Sequence, residues 1–289
     1  MPELPEVETT VRGLRQKVLG RTFINFWTDS PKIIKKPSSL KKFKKEIKCK
    51  KIKKIERRGK NILFHLSGNK TLLIHQKISG HLLFGKWKKK GDSWQAPPGP
   101  LADKINSFIR VIFVFKNKQM MALSDLRKFA KVELWDTIKL LESDSFRKLG
   151  QEPLERSFTF KKFKQALANR KNKIKQALMN QEIIAGIGNI YSDEILFKAK
   201  ISPLRTVNSL KEKELRKTYS AIKSILKQAI KSKGDSFSDY RIITGEKGEF
   251  QETTKVYQKT GERCPRCKTI IKRIKIGGRS SHFCPKCQT

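Results

Sequence analysis

Four of the chain's five cysteines fall within its last 26 residues, as Cys264-x2-Cys267 and Cys284-x2-Cys287 with sixteen residues between the pairs. Two such knuckles supply four thiolates that close tetrahedrally around one zinc ion, and that requirement constrains the local fold more than any other feature. Between them, KTIIKRIKIGGRSSHF reads as a β-hairpin turning at Gly277-Gly278. Four thiolates leave no open position for water, so the predicted metal is structural: it holds a small module together. Arg279, beside the turn, presents a guanidinium suited to a phosphate or a groove. Cys49 stands alone, and the distribution fits a reducing compartment better than a disulfide framework.

Charge narrows the partner. Sixty-six Lys and Arg face 26 Asp and Glu, a formal net charge of +40 with pI near 10.3. That balance points to a polyanion, nucleic acid before an anionic membrane face. Lysine supplies 49 of the cationic side chains, so compositional bias contributes to the size of the charge while its sign carries the information. No run of 18 apolar residues occurs, so no membrane span is expected. The start lacks a basic segment followed by an apolar one, which argues against secretion and for a cytoplasmic protein.

At 289 residues there is room for two modest domains. Leu4, Val7, Val11, Leu14 and Val18 recur at three- and four-residue steps, predicting a helix over 3–20 with Pro5 in its first turn and Gly20 at its end. From about 21 to 135 the pattern is that of strands. NILFHLSGNKTLLIH is a hairpin around Gly-Asn, and FIRVIFVFKNKQMMALSD repeats the theme around Lys116-Asn117-Lys118. Residues 91–100, GDSWQAPPGP, read as a loop. The expected architecture is α+β and multidomain. An N-terminal helix plus β-sandwich domain covers 1–141 and a linker 142–158. A helical domain covers 159–255, and a zinc-closed β-hairpin 256–289. The clearest helix there runs over about 209–233 on Leu210, Leu215, Tyr219, Ile222, Leu226 and Ile230, ahead of Gly234; residues 235–255 lack periodicity and read as a mobile loop.

IAGIGNIYSDEILF leads glycines into a helix N-terminus, whose open N–H groups suit a phosphate. It lacks the Lys-Ser/Thr ending of a nucleotide loop, so a nucleic-acid backbone fits better than a nucleotide, with plain helix packing the competing reading. The four histidines show no ligand spacing and are assigned no catalytic work. Lys60, in RRGKN, cannot be singled out by position among so many lysines. The opening MPELPEVETT is anomalous: three glutamates and no cation in a chain this basic.

Taken together, PELPEVET, RRGKN, DLRKF at 125–129, AGIGNIYSDE and CPRC…GGRSSHFCPKC resemble the formamidopyrimidine-DNA glycosylase (Fpg/Nei-type) family from end to end. The resemblance implies a bifunctional glycosylase and abasic-site lyase that excises oxidised purines from duplex DNA. Removal of Met1 would leave Pro2 as a secondary amine that attacks the sugar C1′ and forms a Schiff base. An α-amino group, of pKa about 8, is more often unprotonated at neutral pH than a lysine. By the same resemblance Glu3 is the acid–base residue at the sugar, Glu6 supports it, and Lys60 contacts phosphate near the lesion. Lys175, Asn189 with the Gly-Ile-Gly amides, and Arg279 contact the backbone. Ile78, Arg127 and Phe129 fill the gap left by the flipped nucleotide, and 235–250 covers the everted base. The helical domain would be a helix–two-turn–helix.

Three positions depart from the family pattern: Ile78 stands where methionine is usual, and Leu126 and Ala130 replace a proline and a glycine. The implied partner is duplex DNA bearing an oxidised base or abasic site, met by a monomer with one structural zinc, nucleoid-associated and without a membrane. The rivals are an endonuclease VIII-like enzyme preferring oxidised pyrimidines, and a non-catalytic zinc-ribbon protein that binds DNA by charge.

Overall fold

A computed structural model describes residues 1–91 and 93–289 and divides them into two compact units. The first comprises Met1–Arg147 with Ser232–Gln251, the second Lys148–Lys231 with Glu252–Thr289. The chain thus returns to its first unit after the long helix. This differs from the expectation that 232–251 belong with the helical domain.

In the first unit, α1 (Leu4–Val18) buries the whole predicted stripe of Leu4, Val7, Val11, Leu14 and Val18. Strands β1 (Phe23–Thr28) and β2 (Ile34–Lys36) precede a helix that the sequence reading missed, α2 (Leu40–Ile47). Four of its eight residues are lysine, which hides the pattern, yet Phe43 and Ile47 are buried and Ser39 Oγ caps it by accepting from the Lys42 amide at 3.2 Å. Next come β3 (Ile52–Arg58), β4 (Asn61–Leu66), β5 (Lys70–His75) and β6 (His81–Gly85). The expected β4–β5 hairpin pairs Asn61 with His75 through to Leu66 with Lys70, and its turn needs the positive φ of Gly68 (71°) and Asn69 (52°).

Strands β7 (Lys88–Lys90) and β8 (Ser93–Gln95) form a short hairpin, β8 within the stretch read as a loop; Asp92 lies outside the described residues. The prolines come after β8, and Trp94 packs edge-on against Trp27 with ring centres 5.5 Å apart, which holds the strand down. Then follow β9 (Ile109–Phe115), β10 (Met120–Ser124), β11 (Lys131–Asp136), α3 (Thr137–Glu142) and α4 (Asp144–Arg147). The strands make two sheets, β1-β9-β10-β6 and β2-β11-β5-β4-β3, antiparallel except for β2 beside β11. Phe23, Phe113 and Leu123 from one sheet and Ile55, Phe64 and Ile74 from the other share one core with α1, so the body is a sandwich with a helix sealed into it.

The second unit is helical, with α5 (Phe160–Leu167), α6 (Ile174–Met179), α7 (Asn189–Ala199) and α8 (Glu212–Lys231), followed by the hairpin β12 (Lys272–Ile276) and β13 (Arg279–Phe283). The stretch 142–158 is more than a linker. Phe158 is buried within it, its ring 5.3 Å from Tyr219 and 5.9 Å from Phe163. Among the described residues no helix is long and apolar enough to cross a membrane.

Candidate active site and nucleic-acid interface

The acidic opening is built into the core of the first unit. Pro2, Glu3 and Glu6 are buried, while Met1 is exposed. Glu3 caps α1 in an extended conformation, and its amide donates to Glu6 Oε2 at 2.8 Å. Both carboxylates therefore sit at a helix N-terminus, where the dipole favours negative charge. The other oxygen of Glu6 accepts from the Asp235 amide at 2.8 Å, and Tyr240 donates its hydroxyl to the Glu6 carbonyl at 3.1 Å. Burial, then the charge of Glu6, raises the Tyr240 pKa and keeps that donor protonated.

Residues 232–251 supply these contacts, so this segment packs closely instead of standing off as a mobile loop. Tyr240, Ile243 and Phe250 are buried, Arg241 pairs with Asp103 at 3.3 Å, and the Phe84 amide donates to the Ile243 carbonyl at 2.7 Å. Gly234 allows the closest approach. Its φ is +83°, and a Cβ there would lie 2.8 Å from Glu6 Oε1.

Lys60 occupies the turn between β3 and β4, after Gly59 in the left-handed region, and is buried. Arg57 ties that turn to α1: its Nε reaches Glu8 Oε2 at 3.1 Å and its Nη1 the Gly59 carbonyl at 3.1 Å. Burial opposes ionisation of Glu8, but Arg12 and Arg57 outweigh it and hold its pKa below the usual carboxylate value. Neighbouring His75 stays neutral, its pKa lowered to about 3 by burial and then by the charges of Lys77, Lys60 and Lys131. Pro2, Glu3, Glu6 and Lys60 are thus carried by two elements locked together through Arg57. A cleft of about 630 Å³ at the far end of the same sheet is lined mainly by lysines, with Glu46 paired to Lys70 at 3.2 Å, and lies away from the acidic opening, so cavity size does not locate the chemistry.

Ile78 lies on the loop between β5 and β6, outside any strand and 37% exposed. Arg127 and Phe129 are exposed on the loop between β10 and β11, the guanidinium 5.0 Å from the ring centre.

In the second unit Asn189 is the first residue of α7, following Gly188, with its Oδ1 buried and lacking a hydrogen-bond partner among the described residues. One amide expected to be open is engaged internally: Gly186 N–H donates to Gln181 Oε1 at 2.8 Å, and Gln181 Nε2 donates to the Ile187 carbonyl at 2.7 Å. Arg279 is exposed beside Gly277 and Gly278, whose φ values are 55° and 76°.

Lys175 requires a correction. Its side chain is 1% exposed, donating to Asp193 Oδ1 at 2.7 Å and the Ser280 carbonyl at 2.8 Å, so its ammonium does not face solvent where a phosphate would lie. Asp193 also accepts from Ser281 Oγ at 3.0 Å and the His282 amide at 2.9 Å, which joins α6, α7 and β13. Next to it, Glu194 accepts the amides of Lys255, Val256 and Tyr257 at 2.9–3.0 Å; burial raises its pKa against those bonds. The sequence reading passed over both acids, although adjacent acids flanked by Ile190, Tyr191, Ile195, Leu196 and Phe197 are a visible sign of buried pairing.

The four predicted cysteines converge, their sulfurs within 4.8 Å of one another. Cys264 and Cys287 are 3.9 Å apart and Cys267 and Cys284 3.4 Å, close to the ~3.8 Å edge of a tetrahedron with metal–sulfur bonds of about 2.3 Å. The set fits one structural Zn2+ with all four positions filled by protein.

Buried acids at a helix start, a glycine turn opening another helix and a zinc-closed hairpin, in a chain of net charge +40, fit a DNA-processing enzyme of the base-excision class. Family models agree along the chain: the formamidopyrimidine-DNA glycosylase N-terminal domain matches residues 1–132, its H2TH domain 149–241, and the zinc finger found in FPG and IleRS 261–289. A formamidopyrimidine-DNA glycosylase from Heliobacterium modesticaldum is 38% identical over 289 residues, covering all of both chains. Among solved structures, Lactococcus lactis Fpg with Fapy-dG DNA superposes with a TM-score of 0.85 at 34% identity, covering 99% of this chain and 100% of that one. The same enzyme with abasic-site DNA gives 0.86 at 34% identity, covering 99% of each. The chain belongs to the formamidopyrimidine-DNA glycosylase family, and is a zinc-finger DNA glycosylase of base-excision repair.

Proposed function

We propose that this glycosylase excises oxidised purines, 8-oxoguanine and formamidopyrimidines, from duplex DNA and then cleaves the strand as an abasic-site lyase. Once Met1 is removed, the Pro2 nitrogen attacks C1′. The C1′–base bond breaks with its electrons leaving on the base, and Glu3 protonates the sugar ring oxygen as the ring opens to the iminium. Loss of a C2′ proton expels the 3′ phosphate, and a second elimination expels the 5′ phosphate. Lys60 and Asn189 hold phosphates, Arg279 approaches the groove or backbone, and Ile78, Arg127 and Phe129 fill the vacated stack. The enzyme acts as a monomer in the bacterial cytoplasm, at the nucleoid.

The observation that carries this reading is the clasp on the acidic opening. Glu6 accepts two backbone amides, Glu3 N and Asp235 N, both at 2.8 Å. Burying two glutamates costs stability that hydrogen bonds only partly offset, and folds concentrate such groups where their chemistry is used. A protein binding DNA by charge alone has no use for them. That L. lactis Fpg was crystallised with Fapy-dG DNA and with abasic-site DNA supports both steps. Borohydride reduction during reaction with 8-oxoguanine duplex should fix the protein to DNA through Pro2. An adduct mapped to an internal lysine would overturn the assignment, and a matched panel of oxidised pyrimidines separates the endonuclease VIII-like alternative.

A further inference from the structure

Three exposed apolar side chains of the first unit lie on two neighbouring loops: Ile78 between β5 and β6, and Leu126 and Phe129 between β10 and β11. Each loop also contains a lysine in the left-handed region, Lys77 with φ 55° and Lys128 with φ 56°. Non-glycine residues hold that conformation only where the surroundings over-determine it.

A buried hydrogen-bond network lies beneath both loops. The Asp125 carboxylate is fully buried. Its Oδ2 accepts the Ala130 amide at 2.7 Å, and its Oδ1 accepts the Arg127 amide at 3.3 Å together with the hydroxyl of Ser79, which belongs to the other loop. Ser79 Oγ in turn accepts the Arg127 amide at 3.1 Å. Asp125 is itself anchored: its amide donates to the Phe108 carbonyl at 2.8 Å, and its carbonyl accepts Arg110 Nε at 3.1 Å. The loops also approach closely, since a Cβ on Gly80 would lie 3.3 Å from Ala130 Cβ.

We propose that Asp125, acting through Ser79, is the positioning residue that locks the two loops into one preformed wedge, so that Ile78, Arg127 and Phe129 enter the duplex together. The proposal rests on the base-excision reading above. Asp125 faces the underside of the loops and has no role at the reacting sugar. Its contribution is preorganisation: loops ordered beforehand need not be ordered when the base is unstacked. A carboxylate suits the task because every group converging on it is a donor. Asparagine would turn its NH2 toward either Ala130 N–H or the Ser79–Arg127 pair, which releases one loop.

The test uses zinc-loaded full-length protein, a paired duplex with 2-aminopurine beside 8-oxoguanine, and the same duplex with a pre-formed abasic site. Asp125→Asn should slow both the fluorescence rise that reports unstacking and single-turnover excision by about ten- to a hundredfold, the range of losing hydrogen bonds to a buried charge. Cleavage at the abasic site, where no base has to be unstacked, should be unchanged. Ser79→Ala keeps the carboxylate but cuts the link between loops, and should show the same split more weakly; it carries the comparison if Asp125→Asn does not fold. Equal slowing on both substrates, or no slowing on the paired one, overturns the proposal. A wild-type protein that gives the fluorescence rise without excision would sink the base-excision reading, and the fluorescence comparison would still decide the wedge.

Discussion

Lys175→Met separates two roles for a lysine that resemblance assigns to phosphate and that the fold buries against Asp193. With both side chains at most 1% exposed, removing the cation leaves a buried carboxylate whose remaining donors are Ser281 and His282. Breaking a buried pair from one side costs about 3–5 kcal/mol. At roughly 3 °C per kcal/mol, the melting transition of the second unit should fall by about 9–15 °C. Calorimetry on zinc-loaded protein reads that shift, and duplex affinity measured against salt reads the other role. A lost phosphate contact would flatten the slope of log K against log salt by about 0.9, while a structural clamp leaves the slope alone. Arg279→Ala is the control, expected to flatten the slope without moving the melt. Lys175→Met with an unmoved melt and a flattened slope would refute the buried-clamp reasoning.

Gly234→Ala forces a left-handed alanine, at about 1–2 kcal/mol, and pushes its Cβ against Glu6, so excision should slow beyond any loss in melting temperature; unchanged kinetics would show that Glu6 does not need its present position. Cys267→Ser should release zinc and weaken DNA binding, measured by metal content and affinity together, because binding of the metal and folding of so small a module are coupled. Acid should destabilise the first unit: His75 titrates near 3 when folded and near 6.5 when unfolded, so the unfolded chain binds the extra proton as pH drops from about 6.5 toward 3 and stability falls across that window. His75→Gln should flatten the dependence in denaturant titrations run at several pH values, and an unchanged slope would contradict the assignment.

Much of this was legible because it is local. The α1 stripe, the Gly-Asn hairpin and the paired CxxC knuckles are each set by spacing within a few residues, and the sequence determined them. It also pointed to the acidic opening, since three glutamates in a strongly basic chain need a reason. Helix α2 was lost in its lysines, and Trp94 held a strand where prolines suggested a loop.

What only the tertiary structure decided are pairings between residues far apart in the chain. Lys175 meets Asp193 and Ser280, Glu6 meets Asp235, and Ser79 meets Asp125. Whether a lysine faces a phosphate or a buried carboxylate, and whether an aperiodic segment stands free or clasps a helix start, depends on which donors and acceptors the fold brings within about 3 Å. Periodicity reports which face of an element is buried. It carries no record of the partner across the core, because any apolar surface satisfies the pattern while a buried charge is satisfied only by the particular groups that reach it.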